Sequence, residues 1–355
     1  MDAQKYFDQM FMAQALALAK KAWGSTGINP RVGAMIVKNN RLVSQGYHRQ
    51  LGEAHAEICA LAGAGEQARG ATLYVNLEPC CCSGRTPPCV VAIIKAGIKR
   101  VVIGMKDPNP LVNGKGIEYL QAHNIKITKG ILKEQAHELN VWYKKYITTK
   151  IPYTIMKIAI SQDGKIAGSA QKYITSESSR RFVHALRGQL NAVLVGIKTI
   201  LIDNPYLTDR LLGKNNPVRI VIDPNLEIPE HANFLIPDSQ RIIITNKQND
   251  AKKIKVLTDA GAEFIFLECA PYPTAKILEE LGKQGIGAIL IEGGGEVFTH
   301  FFKTQDYDEL YLFKTRIKII KGLALDKEII NYVQTRDKKP INIGEDLLYH
   351  VHRNN

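Results

Sequence analysis

Three observations predict two layered α/β domains in tandem. The chain of 355 residues is about twice the length expected of one domain. Apolar stretches of strand length alternate with helix-length stretches in two separate series, and residues 147–151, followed by Pro152, part the two. Alternation of that kind argues for helices packed on a sheet in each series. The expected limits are a first domain at 1–146, a linker at 147–151 and a second domain at 152–355.

In the first series, Phe7, Met10, Phe11 and Leu18 recur at helical spacing and predict an opening helix over 5–23. Residues 32–37 and 42–47 read as a hairpin around Asn39-Asn40, two residues tolerant of positive φ. A second helix spans 54–64 and stops near Gly63 and Gly65, and a strand covers 72–77. Residues 89–96 form a helix with prolines before it and Gly97 after it, and 101–105 form a strand. The second series opens with a strand at 153–160 and turns at Asp163-Gly164. It continues through a helix at 178–190, strands at 192–195, 218–222, 241–245 and 288–291, and a helix near 297–302. There is no short internal repeat and no low-complexity tract.

Composition narrows the class. With 45% hydrophobic and 23% charged residues, disordered and collagen-like chains are excluded. No apolar run approaches the roughly 18 residues of a membrane span. The opening MDAQKYFDQM lacks the basic-then-apolar layout of a signal peptide, so a cytoplasmic, reducing location is expected. The net charge of +13 favours anionic partners, whether nucleic acid, membrane surface or phosphorylated metabolites.

Four of the six cysteines, Cys80, Cys81, Cys82 and Cys89, fall within ten residues, with Cys59 and Cys269 apart. In a reducing compartment such a cluster is read as metal binding or catalysis before disulfides. His55-Ala56-Glu57, Pro79-Cys80 and Pro88-Cys89 together supply one imidazole and two thiolates, three ligands that leave a tetrahedral Zn²⁺ one position for water. Glu57 is then placed to shuttle protons. His55 and Glu57 diverge by about 200° on a helix, so they share a target only near the helix start, where Cys89 also sits on its own helix. A lone His-x-Glu is common, and Cys pairs alone also build structural zinc ribbons. Taken together, with each cysteine preceded by proline, the three favour a catalytic zinc.

Known zinc deaminases carry His-x-Glu with Pro-Cys-x-x-Cys; here Cys80 and Cys89 are further apart. With that longer spacing, Leu77-Glu78-Pro79-Cys80 and Gly84-Arg85-Thr86-Pro87-Pro88-Cys89 resemble the deaminase half of the bifunctional riboflavin-biosynthesis deaminase/reductase family. Asn29-Pro30-Arg31-Val32-Gly33-Ala34, Gly46-Tyr47-His48, Asp107-Pro108-Asn109-Pro110 and Gly114-Lys115-Gly116 are similar to the family too. The resemblance implies a cytidine-deaminase-like three-layer α/β/α domain in which His55, Cys80 and Cys89 hold zinc and Glu57 is catalytic. Asn29 and His48 are then pocket residues, or polar groups of a turn and the core. Cys81-Cys82-Ser83 stands where the family commonly has histidine, and Ile28 replaces a proline. Cys81 and Cys82 read as spectator thiols, and Cys59 and Cys269 as small core residues.

In the second series, Glu292-Gly293-Gly294-Gly295-Glu296 between a strand and a helix suits either phosphate or a mere tight turn. Arg187 and Arg210 are phosphate forks or surface charges. Met156-Lys157, Asp163-Gly164-Lys165-Ile166-Ala167, Ile174-Thr175-Ser176, Val195-Gly196 and Asp203-Asn204-Pro205 resemble the family's reductase half, similar in fold to dihydrofolate reductase. By position, the resemblance implies NADPH contacts at Ile160, Tyr173, Thr199, Asp203, Pro224, Gly294, Gly295, Glu296 and Val297. It implies substrate contacts at Gln171, Arg187, Leu207, Arg210 and Glu292. Lys157 stabilises the substrate, delivers a proton, or is a structural ion-pair partner, and ranks below Arg187 and Arg210 as a site residue. Asp209 replaces a small apolar residue, Gln171 and Pro224 replace serines, and past Lys314 the match is loose.

The expectation is a bifunctional enzyme with Zn²⁺ and NADPH as cofactors. It would deaminate 2,5-diamino-6-(5-phosphoribosylamino)pyrimidin-4(3H)-one and then reduce the ribosyl chain to ribityl. The partners expected are phosphorylated pyrimidines and further copies of the chain, as a dimer or tetramer, without nucleic acid or membrane. A nucleic-acid base deaminase also suits a basic surface, and a non-catalytic zinc module would not need Glu57.

Overall fold

The computed structural model describes residues 3–353 apart from 23, 83–86, 169–172, 211–215 and 269. The chain divides into Met1–Lys150 and Ile151–Asn355. The first unit runs α1 (Ala3–Ala19), β1 (Gly33–Lys38), β2 (Arg41–Tyr47), α2 (Ala56–Ala64), β3 (Thr72–Leu77), α3 (Cys89–Lys95), β4 (Arg100–Met105), α4 (Lys115–Ala122), β5 (Lys126–Lys129), α5 (Lys133–Leu139) and α6 (Val141–Thr149). Asn39 and Asn40 take φ of 51° and 57°, the doubly positive turn that matches strand twist in a hairpin. Its strands open a sheet of order β2-β1-β3-β4-β5 among the described residues. β1 is antiparallel to β2 and β3, while β3, β4 and β5 are parallel.

Two glycines show that this sheet is covered on both faces. A Cβ at Gly33 would lie 2.1 Å from the Ala15 carbonyl oxygen of α1. Gly46 pairs with Ala34, the next residue of β1, and therefore faces the other way. A Cβ at Gly46 would lie 2.6 Å from backbone of α2. The two helices thus sit on opposite faces, a three-layer arrangement. Strands buried on both sides read as continuous apolar runs, as β4 does over Val101, Val102, Ile103 and Met105.

The second unit runs β6 (Tyr153–Ile160), β7 (Lys165–Ala167), α7 (Glu177–Gln189), β8 (Ala192–Gly196), α8 (Ile197–Asp203), β9 (Val218–Ile222), β10 (Arg241–Thr245), α9 (Ala251–Asp259), β11 (Glu263–Phe266), α10 (Thr274–Lys283), β12 (Ala288–Ile291), α11 (Gly295–Lys303), β13 (Glu309–Lys314), β14 (Leu323–Ala324), α12 (Lys327–Arg336), β15 (Ile341–Ile343) and β16 (Asp346–His352). Its large sheet has the order β11-β10-β9-β8-β12-β6-β13-β16-β15 among the described residues. From β11 to β13 every neighbour is parallel, and β16 and β15 close one edge antiparallel. Alternate residues of β8 feed two cores: Ala192 and Leu194 pack with Met156 and Ile289, Val193 and Val195 with Val221 and Ile243. Among the described residues, no helix is long and apolar enough to cross a membrane.

The expected linker at 147–151 needs correction. Tyr143 and Tyr146 are buried and carry α6 through Thr149, after which Lys150 ends it in the left-handed region at φ 62°. The boundary is a helix cap.

Gly33→Ala should lower the stability of the first unit by roughly 1–3 kcal/mol, because the intruding methyl meets backbone that cannot swing aside. Urea unfolding of the full chain measures this; an unchanged midpoint would show that α1 is not seated as described.

Candidate metal centre and active-site cavity

Two helix starts and one strand end build the first site. His55 is the N-cap of α2, extended at φ −68°, ψ 159°, and makes no side-chain capping bond; its ring is turned toward Cys89 and Cys80. Cys89 is the first residue of α3 and is buried. Cys80 follows β3. His55 Nδ1 lies 3.2 Å from Cys89 Sγ and 3.6 Å from Cys80 Sγ, and the Cys89 N–H donates to Cys80 Sγ at 3.3 Å. The three ligand atoms lie within 4.8 Å of one another.

The protonation pattern fits a metal's demands. Cys80 is brought down to about 4, first because Cys89 hydrogen-bonds to it and, against burial, because His55 does as well. Cys89 is pushed up, first by sharing that bond with Cys80 and then by burial. His55 is raised by its bond to Cys80. Protons therefore hold a nitrogen and two sulfurs together in one knot. A Zn²⁺ ion takes such a donor set by displacing protons, so the residues present fit the ion.

Glu57, in the first turn of α2, is 4% exposed. Burial and then the Cys80 thiolate push its carboxyl up to about 7. It therefore exchanges a proton near neutrality, as a general acid/base must. His48 stands edge-on to His55, with ring centroids 5.6 Å apart. Its Nδ1 donates to the Ala54 carbonyl, so its Nε2 accepts from the Asn29 amide, and the ring is neutral. Burial lowers its pKa in keeping with that. Asn29 and His48 are thus partners beside the ligands.

Sequence reasoning missed the supports of this site. Glu78, 2% exposed, accepts N–H groups of Asp107, Gly114 and Ile117 and so gathers residues 107–117 beside Cys80. Buried Asn76 and Asn140 clamp the Arg31 backbone, Asn140 from both its N–H and its carbonyl. A charged or amide residue flanked by apolar neighbours, as Asn76 is in TLYVNL, is the only sequence signal for such pins. Cys81 and Cys82 lie outside the ligand cluster. Cys59, expected in the core, is partly exposed, and Cys269 lies outside the described residues.

The second site is a cavity of about 2090 Å³ at the carboxyl ends of β6, β8, β9 and β12. That exceeds the roughly 300–1,000 Å³ of a single-ligand pocket and leaves room for two molecules. Tyr173, Arg187, Thr199, Asp203, Leu207, Arg210, Pro224, Glu292 and residues 294–297 all line it. Ile160 does not: it is 1% exposed inside the larger core, because its strand position faces the packed helices. Gln171 lies outside the described residues.

Two features shape the cavity's chemistry. Gly293 abuts α8, where a Cβ would meet Thr199 Oγ1 at 2.6 Å, and Gly294 caps α11 at φ 85° with no side-chain cap. The first N–H groups of α11 are left for an anion. Beside this turn, Arg187 grips Glu292 through two bonds, Nε–Oε1 at 2.5 Å and Nη2–Oε2 at 2.7 Å. Loss of solvent draws Lys157 below the usual lysine range, with Glu292 opposing and Arg187 assisting. His184 is lowered to about 4 by burial, then by Arg187 and Arg210. The substituted Asp209 is buried 4.0 Å from His184 Nδ1. Lys198, missed in the sequence, bonds Glu296 across the cavity wall.

The riboflavin biosynthesis protein RibD of Aquifex aeolicus (strain VF5) is 42% identical over 349 residues, spanning 96% of this chain and 97% of that one. The chain belongs to the RibD family. RibD of Escherichia coli (strain K12) is 37% identical over 97% of this chain and 99% of its own. Residues 152–315 match the RibD C-terminal domain, and residues 5–105 the cytidine and deoxycytidylate deaminase zinc-binding region. An Acinetobacter baumannii RibD structure, form 2, superposes with a TM-score of 0.89 at 32% identity, covering 99% of both chains. A Thermotoga maritima structure, described as a diaminohydroxyphosphoribosylaminopyrimidine deaminase/5-amino-6-(5-phosphoribosylamino)uracil reductase, gives 0.86 at 34%, covering 98% of this chain and 99% of that one. The chain thus carries a deaminase-like α/β/α domain and a dihydrofolate-reductase-like domain. The C-terminal family match ends at residue 315, close to Lys314, where the sequence resemblance loosens.

Asp107 allows a test of the loop that Glu78 gathers. Burial raises its carboxyl from 3.8 to about 6, so the folded chain holds an extra proton between those values. Stability from this group is greatest at acid pH and is lost as pH rises through about 6. Both its Asn109 N–H and Tyr143 hydroxyl bonds end on Oδ1, which asparagine retains. Asp107→Asn should therefore raise stability at pH 7.5 by roughly 1–3 kcal/mol and flatten its pH dependence between pH 4 and 6. A lower urea midpoint at pH 7.5 would contradict the burial of a charged carboxylate.

Proposed function

We propose that this RibD-family chain catalyses two consecutive steps of riboflavin synthesis. The first unit hydrolytically deaminates 2,5-diamino-6-(5-phosphoribosylamino)pyrimidin-4(3H)-one. The second reduces the ribosyl chain to ribityl with NADPH, giving 5-amino-6-(5-phosphoribitylamino)uracil. One observation carries the reading: an imidazole and two sulfurs meet beside a buried carboxyl in a chain matched along almost its whole length by RibD proteins.

His55, Cys80 and Cys89 would hold a zinc ion, which when bound would supply polarised water near neutral pH. Glu57 accepts the proton from the attacking water and returns it to the departing amine, a role its carboxyl fills because it titrates near 7. Asn29 and the neutral His48 present polar groups beside it and carry no charge that would compete for the ligands.

NADPH, when bound, supplies the hydride. The glycine turn at 293–295 offers N–H groups to a phosphate of the cofactor, and Thr199 stands against that turn. Glu292 fixes the Arg187 guanidinium in one plane, so it presents a preset face to the substrate. Lys157, held at lowered basicity in the same cavity, can hand over a proton while the sugar opens. Arg210 is the cation at the cavity wall for the substrate phosphate.

The net charge of +13 suits phosphorylated pyrimidines. A base deaminase acting on nucleic acid would leave the second unit's cavity without a use. A cytoplasmic location and assembly as a dimer or tetramer complete the proposal and rest on the resemblance to the deaminase/reductase family.

Glu57→Gln should cut ammonia release at least about 100-fold while zinc content and NADPH oxidation on the deaminated pyrimidine stay unchanged. A variant that still releases ammonia at the parent rate would remove Glu57 from the chemistry. Arg210→Ala should raise the reductase KM about 10- to 100-fold, the worth of a charged hydrogen bond, with kcat little altered. An unchanged KM would place the substrate phosphate elsewhere.

A further inference from the structure

At the amino-terminal ends of the parallel strands, away from the cavity, β13 and β16 bring a second set of metal-ligating side chains together. Glu309 pairs directly with His352, and Tyr311 with His350. Residues two apart on a strand share a face, so Glu309, His350 and His352 project from the same side of the sheet. Glu309 Oε2 lies 2.8 Å from His350 Nε2, and Oε1 lies 3.8 Å from His352 Nδ1. The three ligand atoms lie within 4.8 Å of one another, and a small inward turn of the side chains brings them to the roughly 3–4 Å spacing of donors about 2.0–2.2 Å from a common ion.

The surroundings are those of a built site. Tyr153 and Tyr311 both donate hydroxyl hydrogens to Glu309, one to each oxygen. A carboxylate oriented by outer donors is a recurrent device in metal centres. Tyr311 also stacks on the His350 ring, with centroids 4.2 Å apart and planes 6° from parallel, which fixes where Nε2 points. His350 Nε2 hydrogen-bonds to the same carboxylate that the two tyrosines orient. The carboxylate is sheltered while the two histidines are partly exposed, leaving an entry path and open coordination positions on the solvent side.

We infer that Glu309, His350 and His352 form a second divalent-metal site, of two imidazoles and one carboxylate, selective for Zn²⁺-like ions. Imidazole ligands favour Zn²⁺, Ni²⁺, Cu²⁺ and Co²⁺ over Mg²⁺ and Ca²⁺. Binding needs the lone pair of His350 Nε2, so the ion displaces the proton that lies between Nε2 and Glu309 Oε2, which moves to Nδ1 of a neutral ring or leaves a doubly protonated one for solvent. The ion then staples the final strand, β16, to β13.

The two candidate sites differ in sulfur, and that separates them experimentally. The full chain, stripped by chelator and reloaded with Zn²⁺, should retain two ions per chain after dialysis. Cys80→Ser/Cys89→Ser should retain one, and His350→Asn/His352→Asn should retain one. With Co²⁺, the thiolate charge-transfer band should persist in the histidine variant and vanish in the cysteine variant. His352→Asn alone, at a position exposed enough to spare the fold, should weaken the sulfur-free site at least about tenfold. The inference is overturned if the histidine variant keeps as many ions as the parent, or if the cysteine variant holds none. A single ion that survives the cysteine changes and is lost with the histidines would support this site and sink the zinc centre at Cys80.

Discussion

A parallel strand buried on both faces must be followed by a helix that begins at its carboxyl end, and both sites follow from that constraint. In the first unit, Cys80 leaves the end of β3 and Cys89 opens α3, while α2, which runs back to the start of β3, begins at the same rim with His55. In the second, β12 runs through its glycine turn into α11, and β8 passes at Gly196 into α8. The chemistry collects where helix starts meet strand ends, as in open α/β sheets generally. Helix starts also carry partial positive charge, which favours the approach of phosphate to α11.

Charges withdrawn from water are compensated in different ways at the two rims. In the metal centre they are shared among neighbours, so that proton occupancy is divided over His55, Cys80, Cys89 and Glu57. In the cavity Arg187 and Glu292 are locked in a two-bond pair, and Lys157 lines the same cavity. Breaking a sheltered pair by removing one member strands the other charge. The first arrangement invites exchange with an ion, whereas the second resists change and serves to hold a cation at a fixed orientation.

What could be read from the sequence was whatever repeats with a clear period or concentrates unusual residues. β3 occupies the strand expected at 72–77, and β9, β10 and β12 match theirs, because each is an apolar run fully inside a sheet. His55, Cys80 and Cys89 stood out because thiols are scarce and were flanked by proline. β5, with the sequence KITK, lies at the sheet edge with polar ends exposed and carries no such period. β15 is likewise mostly exposed. α6 overran the expected linker because tyrosines one turn earlier anchor it. Ile160 was assigned to the cofactor by position, yet side-chain direction within a strand is set by register, which points it into the core. Glu78 could not be singled out, since its role is to satisfy backbone N–H groups that lie some thirty residues downstream.

Glu78 and Cys80 are separated only by Pro79, whose ring holds φ near −65°. The carboxylate of Glu78 gathers residues 107–117, and the sulfur of Cys80 belongs to the ligand knot. This short, stiff link makes the two into one mechanical unit. A force that moves the sulfur also pulls on the segment beyond β4, and ordering of that segment steadies the sulfur in return. By thermodynamic reciprocity, occupancy at the ligands and closure of that segment share a single free-energy balance.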